Sequence, residues 1–396
     1  MSPTTRLHRI APVTTPATPS PTVPVTVPGT QRGAAAGFSD PLRFDLPPAL
    51  EASQPPELTL GRRDAVRLMV SRGEQTPVHA RASDLATYLD PGDLVVVNTS
   101  ATVPAAVDAV APHGEFVVVH LSTELPTGLW LVEIRRPVDG SPTLPHDGDF
   151  RGAELRLPDH ATVRVLGRMP GSIRLWVTEV ELGAAGAPGT SIVEYLERWG
   201  KPIRYRYVPA TWPIDAYRNA YANEPGSAEM PSAGRPVTSE VIASLVARGI
   251  DVTPLVLHTG VASLEGHEMP YPERYRVPIE TARRINATHD AGHRVVAIGT
   301  TVVRALETVT DDEGITHPGE GWTELIISPA RPVRAVDGLL TGWHEPEATH
   351  LQMLEAVAGR APLELAYPAA IAAGYRWHEF GDSHLLLPDR TGSDHR

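Results

Sequence analysis

Past residue 190 the chain alternates short apolar runs with amphipathic stretches, a rhythm that implies an α/β layer. Ser191 followed by Glu194 forms a capping box and predicts a helix running to Trp199. Thr238 or Ser239 opens a second helix over 241–248, stopped by Gly249. Strands are predicted over 250–258, 294–298, 323–327 and 384–387, with helices over 279–291, 300–308 and 346–358. Upstream, 63–71 and 94–98 read as strands, separated by a polar segment that closes on Asp90-Pro91-Gly92-Asp93. Between 102 and 190 the texture differs. Short β-rich runs (115–121, 130–135, 162–166, 173–181) alternate with Gly, Pro and Asp turns, and no long helix fits. Such spacing belongs to a small antiparallel barrel or sandwich. The expected fold is therefore an α/β domain over 41–101 and 191–390, with a mixed, largely parallel sheet. An antiparallel β-barrel domain is inserted at 102–190.

Residues 1–40 hold seven prolines among Thr, Ala and Ser, and have neither helical nor strand period. A segment of this kind buries too little apolar surface to offset its ordering entropy, so it is expected to be disordered. No apolar run approaches the roughly 20 residues of a membrane span, and no signal-peptide core is present, so a soluble cytoplasmic protein is expected. With no cysteine, disulfides, thiolate nucleophiles and Cys-ligated metals are excluded. A net charge of −12 excludes a generic nucleic-acid coat, so any nucleic-acid contact must be a local patch. The best such patch is Lys201-Pro-Ile-Arg204-Tyr205-Arg206-Tyr207, where tyrosines suit base stacking and cations suit phosphates. A solvated strand with its tyrosines facing a core fits the same residues.

The run from Arg294 to Glu307 is the sharpest local feature: an apolar strand enters Gly299-Thr300-Thr301 and a helix leaves carrying Arg304 and Glu307. Glycine lets a ligand approach the backbone, and a helix N-terminus favours a carboxylate or other anion. An ordinary strand–turn–helix with a threonine cap reads the same way, and the dinucleotide fingerprint is missing. Between Tyr217 and Gly234 a loop dense in small residues, including Gly226 and Ser227, has the make-up of a binding loop. Histidines gather late, at His258, His267, His344, His350, His378 and His384. A metal reading would join His344 and His350 to His378 and Glu379, but no pair has the i, i+4 spacing of a helical zinc motif. A Ser-His-Asp hydrolase lacks its nucleophile elbow.

Taken in order, the motifs resemble those of the S-adenosylmethionine:tRNA ribosyltransferase-isomerase family of queuosine synthesis. They include Phe44-Asp45-Leu46-Pro47, Leu89-x-Pro91-Gly92-Asp93-Leu94 and the Pro225-Gly226-Ser227 loop. Leu257-His258-x-Gly260, Gly299-Thr300-Thr301-x-x-Arg304-x-Leu306-Glu307 and Asp337-x-Leu339-x-Thr341-x-x-His344 follow, closing on Gly381-Asp382. Three positions depart. Family N-D-T-R is here Asn98-Thr99-Ser100-Ala101, A-G-L-H-F is Ala233-Gly234-Arg235-Pro236-Val237, and L-P-P-Y is Ile203-Arg204-Tyr205-Arg206.

The resemblance implies an α/β domain with an inserted barrel, S-adenosylmethionine as co-substrate, no metal, and tRNA as partner of a monomeric enzyme. The amine of 7-aminomethyl-7-deazaguanine in tRNA would accept the ribosyl unit, adenine and methionine would leave, and the ring would rearrange to epoxyqueuosine. That chemistry needs a base for a proton acidified by the sulfonium, an acid for departing adenine, and π-faces beside the cationic sulfur. By the resemblance, His258 or His344 transfers protons, with Glu307 or Asp382 orienting them. Gly299, Thr300, Thr301, Arg304, Gly226 and Ser227 hold the donor, and Lys201, Arg204, Tyr205 and Arg206 the acceptor. The departures leave two other readings: a paralogue using S-adenosylmethionine on a small molecule or another RNA, and a non-catalytic binding protein of this fold.

Overall fold

The computed structural model describes residues 41–183, 191–261 and 271–389; the proline-rich tail, residues 1–40, and His267 lie outside them. A short helix, α1 (Glu57–Leu60), precedes β1 (Arg67–Arg72) and β2 (Val78–Arg81), which pair antiparallel. β3 (Leu94–Asn98) is buried at every position, as suits a strand with parallel neighbours on both sides. After β4 (Ser100–Thr102) the chain enters β5 (Ala106–Val110), β6 (Phe116–Glu124), β7 (Trp130–Val138) and β8 (Ser141–Pro145). β9 (Glu154–Arg156), β10 (Thr162–Arg168) and β11 (Leu175–Glu181) complete this set. Beyond it come α2 (Ile192–Trp199), β12 (Glu224–Ser227), α3 (Ser239–Ala247), β13 (Asp251–Leu257) and β14 (Glu273–Val277). Then follow α4 (Ile279–Asp290), β15 (Val295–Ile298), α5 (Thr300–Val309), β16 (Gly319–Thr323) and β17 (Gly338–Gly342). α6 (Thr349–Ala358), α7 (Arg360–Ala372) and β18 (Ser383–Leu387) end the fold.

Nine strands form one sheet in the order β16-β14-β13-β3-β15-β17-β18-β1-β2. The largely parallel sheet expected from the strand–helix alternation is not found. Of its eight pairings, β1–β18, β13–β3, β15–β17 and β15–β3 are parallel and the other four antiparallel. A single crossover helix returns the chain for a parallel partner. Two helices, α6 and α7, separate β17 from β18, and these two strands run antiparallel. At the other end, the turn between β1 and β2 is too short for any crossover.

The middle segment closes. β7, β6, β5, β9, β10 and β11 pair antiparallel in series, and β11 returns to β7, giving a six-stranded barrel with β8 added alongside β7. Strict alternation builds its core: on β10, Val163 and Val165 face inward and Arg164 and Leu166 outward. Closure removes the unpaired edges that an open sheet of this size would expose. Barrel and sheet meet where the Trp322 indole N–H donates to the Glu124 carbonyl at 2.9 Å, and the Val261 N–H to Ser122 Oγ at 3.0 Å.

Two expected elements differ. Residues 323–327 read as a strand in the sequence, but the strand is β16, ending at Thr323, and 324–327 is irregular. Glycines interrupt β16 and make the apolar residues after it look like the better strand. α7 carries Pro368 in its interior, which reads from sequence as a break. Leu363, Ala366, Tyr367 and Ala370 are buried in the core and hold the helix through it. No helix among the described residues is long and apolar enough to cross a membrane.

Candidate active site

β3, β13, β15 and β17 run parallel through the middle of the sheet, so their carboxyl ends share one edge. A cleft of about 770 Å³ lies along it, lined among others by Gly299, Thr300, Thr301, Gly342, His344 and Thr259. Ligands of open α/β sheets sit at this edge.

Gly299 links β15 to α5 at φ +95° and ψ 154°, a conformation reserved for glycine. Its N–H donates to the Leu340 carbonyl at 2.8 Å, and a Cβ there would meet Ala233 Cβ at 3.3 Å. α5 therefore begins at the cleft with Thr300 and Thr301, whose backbone N–H groups have no partner within the helix. Asn98 at the end of β3 fixes this corner: its Nδ2 donates to Leu257 O at 2.8 Å and to Thr301 Oγ1 at 3.3 Å.

Arg304, one turn further on, lines the cleft but is not a free cation. Its guanidinium pairs with Glu273 and donates to the Leu325 and Thr323 carbonyls at 3.3 Å each. Glu273 in turn accepts the Gly260 N–H at 3.0 Å, so the pair ties α5 to β14 and to the loop after β13. Glu307 points away from both histidines it was expected to orient. Its Oε1 accepts the Arg334 and Ala335 N–H groups at 2.9 and 2.8 Å, and burial pushes its carboxyl upward. Asp382 likewise serves the scaffold, accepting from the Arg67 side chain and from the Arg67 and Arg376 backbone.

The histidines separate into two groups. His344 lines the cleft, with Nε2 2.9 Å from Thr341 Oγ1 and its ring stacked on His350 at 4.8 Å. Burial, with His350, His378 and His384 adding repulsion, holds its pKa well below that of ordinary imidazole, so the ring is neutral. His258 is not among the residues lining the cleft. Its Nδ1 lies 2.7 Å from Ser100 Oγ, which is 2.6 Å from Ser227 Oγ, and Ser227 Oγ accepts the Thr259 N–H at 3.0 Å. A Cβ on Gly226 would lie 2.5 Å from His258 Nδ1, so only glycine lets that loop lie on the ring. Burial, then Arg274 and Arg276, push His258 down to about 4. Gly226, Ser227 and His258 are thus one cluster, joined to the cleft through Thr259.

The cation-rich segment divides. Tyr205 lines the cleft, whereas Lys201 pairs with Asp108 at 2.6 Å and Arg204 donates to the Pro209 and Ser141 carbonyls at 2.8 and 3.2 Å. Arg206 is exposed. His344, His350, His378 and Glu379 do share the cleft, but no group of three or more such side chains is placed to hold a metal among the described residues. Two contributors escape a reading of the sequence: Tyr207, whose hydroxyl bonds Glu379, and Glu345, which sits beside His378. Each meets its partner only across long sequence distances or through a loop.

Residues 39–386 match the family model described as queuosine biosynthesis protein. An S-adenosylmethionine:tRNA ribosyltransferase-isomerase of Moorella thermoacetica is 36% identical over 355 residues, covering 87% of this chain and 98% of that one. Proteins of the same name from Thermotoga maritima and Thermus thermophilus are 32% and 34% identical, with the same shares covered. The crystal structure of S-adenosylmethionine tRNA ribosyltransferase from Thermotoga maritima is 28% identical, covers 87% of this chain and 99% of that one, and superposes with a TM-score of 0.47. The family match runs from before β1 into β18 and includes the barrel, the Gly299 turn and both histidine groups: this chain belongs to the queuosine biosynthesis protein family.

Proposed function

We propose that the protein transfers and isomerises the ribosyl moiety of S-adenosylmethionine onto 7-aminomethyl-7-deazaguanine in tRNA, giving epoxyqueuosine, and that it does so in the cytoplasm as a monomer. The observation that carries this reading is the kinship over 87% of the chain with relatives bearing that enzyme's name. The large cleft at the carboxyl edge of the sheet supports it.

In this reading the N-terminus of α5, opened by Gly299, receives the methionine carboxylate on the N–H groups of Thr300 and Thr301. His344 takes the proton made acidic by the sulfonium. Its ring is kept neutral by burial and aimed by Thr341, and a neutral imidazole has the free lone pair a base requires. His258 acts at one remove, through Ser100 and Ser227, by holding the Thr259 backbone at the cleft wall. Glu307 and Asp382 hold the backbone on which these groups stand.

The test is incubation with S-adenosylmethionine and tRNA carrying the aminomethyl base, following adenine release and tRNA mass. Adenine released in step with the mass gain of one ribosyl unit is the expected result. Folded protein that releases adenine only with another RNA or a small amine would give the place to the paralogue reading.

Acceptor binding gives a separate expectation. Lys201, Arg204 and Arg206 are proposed to touch tRNA phosphates. The triple Ala variant should therefore bind tRNA more weakly, with the log affinity–log salt slope flattened by about 0.7–0.9 for each phosphate no longer neutralised. Filter binding across a salt series measures it. An unchanged slope would put the RNA on another surface.

A further inference from the structure

One wall of the cleft is a column of parallel rings. Tyr205 and Tyr207 stack at 5.5 Å and 9°, and Tyr207 and His378 at 3.8 Å and 10°. The Tyr207 hydroxyl lies 2.7 and 2.8 Å from the two carboxyl oxygens of Glu379. His378 is 8% exposed in its side chain, lines the cleft, and leaves Nε2 without a hydrogen-bond partner among the described residues. The charged groups near that nitrogen are carboxylates, Glu51 at 3.8 Å and Glu345 at 3.9 Å.

The charge of the cleft is one-sided. Glu229, Glu273, Glu345, Glu347 and Glu379 line it, and the sole guanidinium lining it among the described residues, Arg304, is paired with Glu273. An anion at the ring column would face uncompensated carboxylates. A neutral ligand would leave them without a counter-charge. An organic cation instead gains from the π-faces and from Glu379 together.

We propose that Tyr207, His378 and Glu379 form a subsite for an organic cation, resting on the reaction given above, in which two reactants carry such a charge. One is the sulfonium of S-adenosylmethionine and the other the ammonium of the acceptor amine.

Binding at this subsite is coupled to a proton. Burial pushes the Glu379 carboxyl up to about 7, the Tyr207 hydrogen bond opposing and Glu345 adding. Tyr205 and Tyr217 also feel the Glu379 charge, His378 adjoins it, and Arg206 acts on Glu345. An arriving cation stabilises the carboxylate, so the carboxyl proton passes to solvent as the ion pair forms. Affinity for the cation should then rise with pH through the range below 7, by up to about tenfold per unit, and level off above it.

The experiment is titration calorimetry on the full-length protein with two pairs of probes, in buffers of different ionisation enthalpy. S-adenosylmethionine is compared with the neutral thioether S-adenosylhomocysteine, and 7-aminomethyl-7-deazaguanine with its uncharged 7-methyl analogue. The wild type should prefer at least one cation over its neutral partner by tenfold or more, with proton release at pH 6.5. Glu379→Gln should lose most of that preference and the proton release while binding the neutral analogue as before. Tyr207→Phe should shift the pH profile without abolishing binding, and it carries the test if Glu379→Gln does not fold. The pair that responds identifies the cation. Preference and proton release unchanged in both variants, or absent from the wild type, overturns the subsite. Cation preference without adenine release from any tRNA leaves the subsite standing and removes the reaction.

Discussion

A Gly299→Val enzyme should release adenine from S-adenosylmethionine about 100-fold more slowly than the wild type, or not at all. At φ +95° and ψ 154° Gly299 occupies a region that side-chain-bearing residues avoid at a cost of about 1–3 kcal/mol. A Cβ would also press on Ala233 at 3.3 Å. The chain can relieve both only by rotating the Gly299 peptide, whose N–H is bonded to Leu340 O, and that moves the first turn of α5. A shift of the order of 1 Å in a group that positions substrate costs about 10²-fold in rate. Gly299→Ala, which keeps the strained dihedrals but presses less, should fall between. Steady-state adenine release, with thermal unfolding as a control, measures the series. A valine variant that is folded and fully active would remove this turn from the donor site.

Asp382→Ala should cost stability on the order of 3–5 kcal/mol, read as a fall in the urea midpoint at unchanged slope. Asp382 is 6% exposed. Its Oδ1 accepts the Arg67 N–H at 2.7 Å, and its Oδ2 accepts Arg67 Nη2 and the Arg376 N–H at 2.8 Å each. These bonds join the start of β1 to the loop that leads into β18, two strands that pair parallel. Removing the carboxylate leaves two backbone donors unmet and a guanidinium without its counter-ion, the costly half of a broken buried pair. Asp382→Asn keeps acceptor capacity for part of the set and should lose less. If the alanine variant were as stable as the wild type yet inactive, Asp382 would be an orienting residue of the reaction after all.

Features carried by neighbours in sequence are legible in the chain alone. The Ser191–Glu194 capping box appears as expected, with the Ser191 N–H donating to Glu194 Oε2 at 2.8 Å and the Glu194 N–H to Ser191 Oγ at 3.3 Å. Gly299-Thr300-Thr301 lies at a strand–helix junction facing the cleft. Both depend on interactions only a few residues apart. β17 is not legible, since Gly338 and Gly342 flank its short apolar run and read as turn. The roles expected of Glu307 and Asp382 rest on residue type and resemblance. A carboxylate's partners are set by the backbone N–H groups folded against it, and these lie 28 residues away at Ala335 and 315 away at Arg67.

The same division holds for the whole protein. Sequence by itself determined that a β-rich insert interrupts an alternating α/β layer and that a glycine turn opens a helix at a strand's carboxyl end, because periodicity, caps and turns are local. Tertiary structure alone decided that the insert closes into a six-stranded barrel and that half the pairings of the large sheet are antiparallel. It also brought Tyr207 onto Glu379 across 172 residues, beside a column of rings in an acidic cleft. Strand order and ion pairing depend on which surfaces bury one another, and that is a property of the folded chain as a whole.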